Sequence, residues 1–274
     1  MPSGIWFFSK QRNHNMRILA ITNQKGGVGK TTTGVNLAAS LAAAKQRVLL
    51  IDLDPQGNAT MGSGIDKRKL AASVYHVLLG EKSIANVRAR SGNNDYDVVP
   101  ANRDLAGAEV EMVEIEHRET RLKDAIAVHT NDYDFVLIDC PPALNLLTVN
   151  GLTAANAVMI PMQCEYYALE GLSDLVATVK KVRAHLNPTL EIEGLLRTMY
   201  DPRNTLAQQV SDQLVSHFGD KVYRTVIPRN IRLAEAPSHG LPALHFDRAS
   251  KGAQAYIALA GEMLNRSHSA PMAA

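Results

Sequence analysis

Residues 23–33 read Asn-Gln-Lys-Gly-Gly-Val-Gly-Lys-Thr-Thr-Thr, and this run limits the fold more than any other part of the chain. It follows an apolar stretch, Ile18 to Ile21, and precedes a helical pattern that starts near Lys30. A strand that turns sharply through Gly26, Gly27 and Gly29 into a helix is the context of a phosphate loop. Glycines let successive backbone N–H groups converge on phosphate oxygens, and the helix N-terminus adds partial positive charge. Lys30 is placed to bridge β- and γ-phosphate, and Thr31 to ligate Mg²⁺. The strict pattern G-x-x-x-x-G-K-[ST] fails at its first glycine, where Gln24 stands, so the loop is a variant.

The earlier lysine, Lys25, sits at the loop apex. There its side chain is poorly placed for its own nucleotide and well placed for one bound by a facing subunit, which points to a two-fold dimer with nucleotides at the interface. The plainer alternative is a solvated loop lysine.

Two further strand tips carry carboxylates. The run Arg47 to Leu53 leads into Asp54-Pro55-Gln56-Gly57, so that Asp52 and Asp54, two residues apart, share a face and can both point toward the loop. Either could instead cap the following turn. Downstream, Asp134-Phe135-Val136-Leu137-Ile138-Asp139 is an apolar strand that delivers Asp139 at its tip, the arrangement of a Walker B carboxylate that holds Mg²⁺ through water. Pro141-Pro142 stiffens the segment after it.

Other strand-like runs occur at Ala157 to Pro161, Ile192 to Met199 and Val222 to Ile227, with a short one at Asp97 to Pro100. Helical patterns separate them, among them Thr31 to Ala44, Ala106 to Thr130 and Leu169 to Leu186. This alternation predicts an α/β fold with a doubly wound, mostly parallel sheet and helices on both faces. Strands apolar at nearly every position agree with such double covering, and ligands then bind at the carboxyl ends of the strands. With 274 residues and 46% hydrophobic content, one domain suffices. It is expected to span residues 16–265, with a flexible tail at 266–274.

The string Lys25-Gly26-Gly27-Val28-Gly29-Lys30-Thr31-Thr32 resembles the deviant phosphate loop of the ParA/MinD/Soj group of P-loop ATPases, and the resemblance extends from about Met16 to Asn265. It implies ATP and Mg²⁺ as cofactors, with residues 25–32 cradling the nucleotide and Lys25, Lys30 and Asp54 serving catalysis. By the family's D-x-D-x-Q segment, Asp54 orients the attacking water, and Asp52 supports the Mg²⁺ shell beside Thr31 and Asp139. The turn at Pro228-Arg229-Asn230 resembles the family's adenine contact, which assigns Pro228 and Asn230 to the base. No Asn-Lys-x-Asp guanine reader occurs in the chain, so ATP is preferred to GTP.

From Arg197 to Lys251 there are eight Lys or Arg against five Asp or Glu, whereas the whole chain carries only +2. These segments lack interleaved aromatics, so nucleic-acid contact would be made through phosphates and be insensitive to sequence. The segments at Asp201 to Thr205 and Ile227 to Gly240 are similar to ones associated with DNA contact in the chromosome- and plasmid-partitioning branch. They make Arg203, Arg229 and Arg232 the DNA-binding candidates, although scattered solvated arginines would give the same charge count. The resemblance further implies an ATP-dependent homodimer on non-specific double-stranded DNA, a ParB-like centromere-binding partner that stimulates hydrolysis, and a cytoplasmic, nucleoid-associated location.

Three rivals stand beside this reading. A membrane-associated positioning ATPase of the MinD kind needs a C-terminal amphipathic helix, and the small apolar residues Ala253, Tyr256, Ile257, Ala260, Met263 and Leu264 suit core packing better. A reductase-component ATPase needs two cysteines around a cluster shared at a dimer interface; the chain has Cys140 and Cys164, without redox or metal spacing. A nucleotide-binding scaffold that never hydrolyses is disfavoured by an intact Asp54. No apolar stretch reaches the roughly 20 residues that span a bilayer. Residues 1–15, with Ile5-Trp6-Phe7-Phe8, read as an extension before a natural start at Met16 or as a small apolar docking tail.

Overall fold

The inner strands are apolar at nearly every position because the sheet divides their side chains between two cores. Leu49 and Ile51 of the second strand join one hydrophobic cluster while Val48 and Leu50 join the other, and Val136 and Ile138 are separated from Phe135 and Leu137 in the same way. A period of two with nothing polar in it is the signature of a strand buried on both faces.

The computed structural model describes residues 16–93, 95–129 and 132–269, the side chains of 267–269 excepted. The reading of residues 1–15 lies outside them. Among the described residues the strands are β1 (Arg17–Ile21), β2 (Val48–Asp52), β3 (Ala89–Arg90), β4 (Asp97–Val99), β5 (Phe135–Asp139), β6 (Ala157–Gln163) and β7 (Glu191–Thr198). They lie in the order β3-β4-β2-β5-β1-β6-β7, all parallel except β3, which pairs antiparallel with β4. The helices are α1 (Lys30–Ala43), α2 (Asn58–Gly62), α3 (Val74–Leu79), α4 (Ile84–Val87), α5 (Leu105–Glu111), α6 (Arg121–Ala127), α7 (Leu146–Ala154), α8 (Ala168–His185), α9 (Thr205–Phe218), α10 (Ile231–Glu235), α11 (Ala243–Phe246) and α12 (Lys251–Ser269). Helices α3 and α5 to α9 cover one face, and α1, α2 and α10 to α12 the other. Strand β1 is flanked by β5 and β6; the connection from β1 to β2 runs to one side of the sheet and that from β5 to β6 crosses to the other. The crevice beyond its carboxyl end is therefore the switch point where such sheets bind ligands.

Three expectations need correction. Val222 to Ile227 is not a ladder strand: it runs beside β7 but closes only two isolated bridges, Leu195 to Val222 and Tyr200 to Pro228. Side chains take the backbone groups in between. The Arg197 guanidinium donates to the carbonyls of Tyr223 at 2.7 Å and Arg224 at 3.2 Å, and the Glu262 carboxylate accepts from the amides of Arg224 and Thr225, each at 2.8 Å. Similarly, Ala106 to Thr130 is not one helix. Helix α5 ends in a 3-10 turn at Met112–Glu114, His117 takes a left-handed φ of 56°, and α6 starts only at Arg121. The buried Asn150 of α7 holds this break open, donating to the Arg118 carbonyl at 2.8 Å and accepting from the Leu122 amide at 3.1 Å. Finally, α12 continues past Asn265, so residues 266–269 belong to it rather than to a tail. Arg266 donates to Glu262 and to the Val222 carbonyl and stacks over the Tyr223 ring, which fastens that last turn.

Asn150→Ala should lower the unfolding free energy by about 2–3 kcal/mol, because two buried backbone groups lose their partner at once. Urea denaturation followed by circular dichroism measures this; an unchanged midpoint would mean that the break is held by other contacts.

Candidate nucleotide site

The loop between β1 and α1 is built from both ends. Asn23 donates to the Pro161 carbonyl at 2.8 Å and accepts from the Lys25 amide at 3.0 Å, tying the start of the loop to the tip of β6. Gly27 and Gly29 take φ values of 73° and 87°, which side chains rarely tolerate, and Gly29 is the N-cap of α1. No side chain caps that helix and its first turn holds no acid, so the leading amides of α1 are left for a ligand. Lys30 is buried and donates to the Lys25 carbonyl at 3.1 Å, curling back over the loop. Burial lowers its pKa, and the charges of Asp139 and Asp54 act against that shift.

A cleft of about 450 Å³ opens beyond the cradle. Gly26, Gly27, Gly29, Lys30, Thr31 and Thr32 line it from the cradle, Thr198 lies against the cradle beside Gly29, and Asp54, Asn58, Met199, Pro228, Asn230 and Leu233 complete the lining. The structure thus brings the expected phosphate loop and the expected base contacts into one cavity, which Asp54 also lines. Asn230 also accepts from the Arg232 amide at 3.0 Å as the N-cap of α10. Val28 faces inward and is buried.

The three carboxylates separate into distinct settings. Asp54 reaches the cleft while one of its oxygens accepts from the Gln56 amide at 2.9 Å. Asp52 does not line the cleft. It is fully buried and accepts from the Thr60 amide at 2.8 Å, the Thr60 hydroxyl at 2.7 Å and the Asp54 amide at 3.1 Å. It therefore binds the turn together instead of joining Asp54 on a face open to the cleft, because β2 ends at Asp52 and the alternation that would align the pair stops there. Burial pushes its pKa up to about 6.

Asp139 lies opposite Asp52 in register, buried, and neither of its oxygens has a hydrogen-bond partner among the described residues. Desolvation, followed by the Asp52 charge, raises its pKa well above the carboxylate range. The Thr31 hydroxyl approaches without closing a full hydrogen bond, and with Lys30 it pulls the other way. A buried acceptor of this kind, beside a threonine hydroxyl and behind a phosphate cradle, fits a hydrated magnesium ion. Such an ion takes one or two protein ligands and completes its shell with water and phosphate oxygens. No cluster of three or more His, Cys, Asp or Glu occurs among the described residues.

Lys25 does not line the cleft; it is half-exposed and ion-paired to Glu165, just beyond β6. Of the three arginine candidates, Arg203 is 88% exposed and forms a two-pronged pair with Asp201 at 3.0 and 2.8 Å. That pair, supported by the more distant charge of Arg229, pushes the Asp201 pKa down to about 2. Arg229 is exposed on the cleft rim, and Arg232 is paired with Glu235 at 2.8 Å and Asp247 at 3.3 Å. Cys140 and Cys164 are both buried. Glu165, Thr198, Met199 and Tyr256, which the fold gathers around the loop and cleft, carry no sequence signal because none belongs to a local motif.

A parallel sheet whose central strand hands a glycine turn and a buried lysine to its first helix is a P-loop nucleotide-binding protein. Residues 16–192 match the family described as an AAA domain. The chain is 52% identical over 253 residues to the chromosome partitioning protein ParA of Caulobacter vibrioides, across 92% of this chain and 95% of that protein. It is 54% identical over 247 residues to the sporulation initiation inhibitor protein Soj of Bacillus subtilis, across 90% of this chain and 98% of that one. A crystal structure of cobyrinic acid a,c-diamide synthase from Mycobacterium smegmatis, with a bound ATP analogue and magnesium, matches with a TM-score of 0.81 at 40% identity, covering 93% of this chain and 96% of that one. The chain belongs to the ParA/Soj family of chromosome-partitioning ATPases.

Asp139→Asn should raise the thermal midpoint of the nucleotide-free protein at neutral pH by about 2–4 °C, equivalent to ~1 kcal/mol for a domain of this size, because a buried carboxyl group with a raised pKa must take up a proton on folding or stay charged without a partner, and the amide carries neither cost. Differential scanning calorimetry checks this, and an unchanged or lower midpoint would mean that the carboxylate is satisfied.

Proposed function

We propose that the protein binds ATP with magnesium in this cleft, pairs with a second copy around two nucleotides, holds duplex DNA in that state without regard to sequence, and lets go after hydrolysis. One arrangement carries the reading: an uncapped helix N-terminus and a buried Lys30 in front of the unpartnered carboxylate of Asp139. Names of relatives that refer to chromosome partitioning support it.

The amides at the head of α1 and the Lys30 ammonium take the phosphate oxygens, Lys30 exchanging the Lys25 carbonyl for phosphate. Thr31 and Asp139 hold magnesium, which when bound neutralises charge developing on the β- and γ-phosphates. Asp54, held by the Gln56 amide on the cleft wall, orients the attacking water. Pro228 and Asn230 contact the base. Lys25 leaves Glu165 for the triphosphate of the facing subunit, as an arginine finger acts in trans. Arg203, Arg229 and Arg232 contact DNA phosphates, two of them exchanging an internal carboxylate for the backbone. A ParB-like partner stimulates hydrolysis, and ADP returns the protein to a weakly binding monomer.

The membrane reading finds no support in the last helix. Ala253, Tyr256, Leu259, Ala260 and Met263 of α12 are buried in the core with α1, and the Tyr256 hydroxyl meets that of Thr33 at 3.1 Å. No helix among the described residues is long and apolar enough to cross a membrane.

Binding to an arbitrary DNA duplex should require ATP, be strongest with Asp54→Ala, and fall steeply as salt is raised. In that background Arg203→Glu, Arg229→Glu and Arg232→Glu should each weaken binding equally across sequences; binding in no nucleotide state would remove DNA from the reading. Lys25→Ala should retain nucleotide yet stay monomeric with ATP by size-exclusion chromatography with light scattering. Normal dimers from that variant would end the trans assignment.

A further inference from the structure

The phosphate cradle is held from outside by a residue of β7. The Thr198 hydroxyl, buried at the tip of that strand, donates to the Val28 carbonyl at 2.8 Å. A trans peptide is planar, with its C=O and N–H pointing in opposite directions. Pinning the Val28 carbonyl toward β7 therefore turns the Gly29 amide, its partner in the same peptide, toward the opposite side, at the head of α1. The left-handed φ of 87° at Gly29 is the backbone setting in which this peptide meets the first turn of the helix.

The strand has a local device that presents Thr198. Neighbouring strand residues ordinarily point to opposite faces, yet Thr198 and Met199 both line the cleft. Met199 takes a φ of 48°, unusual for a side-chain-bearing residue, and so breaks the alternation where β7 ends. The Gln163 amide donates to the Met199 sulfur at 2.9 Å and supports the bend. The Thr198 methyl also lies where a side chain at Gly29 would reach it, at 3.7 Å, so the threonine backs the cradle at Val28 and at Gly29.

We propose that Thr198 is a positioning residue of the phosphate site: its hydroxyl orients the Val28–Gly29 peptide so that the Gly29 amide faces bound phosphate. The inference rests on the nucleotide reading above and adds to it the residue that sets the cradle's geometry. Because the peptide serves phosphates common to ATP and ADP, Thr198 contributes to binding both and to KM, with little effect on kcat.

The test is calorimetric titration of the full chain with Mg-ADP and with a non-hydrolysable ATP analogue, for the wild type, Thr198→Val and Thr198→Ser, alongside steady-state ATPase assays. Thr198→Val, equal in shape but without the donor, should weaken both nucleotides by the same factor, about five- to tenfold, the worth of one hydrogen bond. KM should rise with kcat nearly constant, while Thr198→Ser restores wild-type affinity and the nucleotide-free thermal midpoint stays within a few degrees. Equal affinity for wild type and Thr198→Val overturns the proposal, as does Thr198→Ser binding as weakly as Thr198→Val, which would assign the effect to the methyl. A wild type that binds neither nucleotide refutes the nucleotide reading itself. If Thr198→Val does not fold, Thr198→Cys, a weaker donor, is measured instead; intermediate affinity supports the proposal and wild-type affinity overturns it.

Discussion

A helix that begins without a capping side chain governs this molecule. At the head of α1, the cap is Gly29, so the leading amides are left to whatever enters the cleft. Left unpaired beside an apolar core, such groups are costly, and the arrangement is tolerable only because the turn faces solvent or an anion. Everything nearby serves this turn. Asn23 of the loop itself anchors it to β6, Thr198 holds it from β7, and Tyr256 of α12 meets the helix at Thr33.

Charge is distributed by the same logic. One face of the turn holds the buried Lys30, and behind it lies Asp139, a carboxylate without a hydrogen-bond partner. Asp52, its neighbour in register, is satisfied three times over by Thr60 and the Asp54 amide, so the two carboxylates cannot be interchanged. A protein that had no use for Asp139 as an anion would gain stability by replacing it. Keeping the group is consistent with a site where a cation and a triphosphate complete the balance of charge. On the surface the pattern is reversed. Arg203 and Arg232 carry their own carboxylate partners, which hold the guanidiniums in place until a phosphate backbone competes for them.

The glycine turn, the buried Lys30 at the head of α1, and the positions of Asp54 on the cleft and Asp139 at the tip of β5 were legible in the sequence because each depends on a short run whose spacing fixes local geometry. The alternating sheet was equally legible, since strands apolar at nearly every position have only one environment in which to lie. The failures share a cause as well. Val222 to Ile227 has strand composition, but Arg197 and Glu262, distant in sequence, claim its backbone groups. Ala106 to Thr130 has helical spacing, but Asn150 captures the chain at Arg118 and Leu122.

Local pattern alone therefore determined that this chain folds as a doubly wound sheet with a phosphate cradle after its first strand, because turn chemistry and hydrophobic period act over a few residues. Tertiary structure decided which side chains brace that cradle: Asn23 against Pro161, Thr198 against Val28, Glu165 against Lys25. It also decided that Asp52 serves the turn while Asp54 serves the cleft. Those assignments depend on contacts between elements up to 170 residues apart in the chain, which come together only when the sheet has closed around β1.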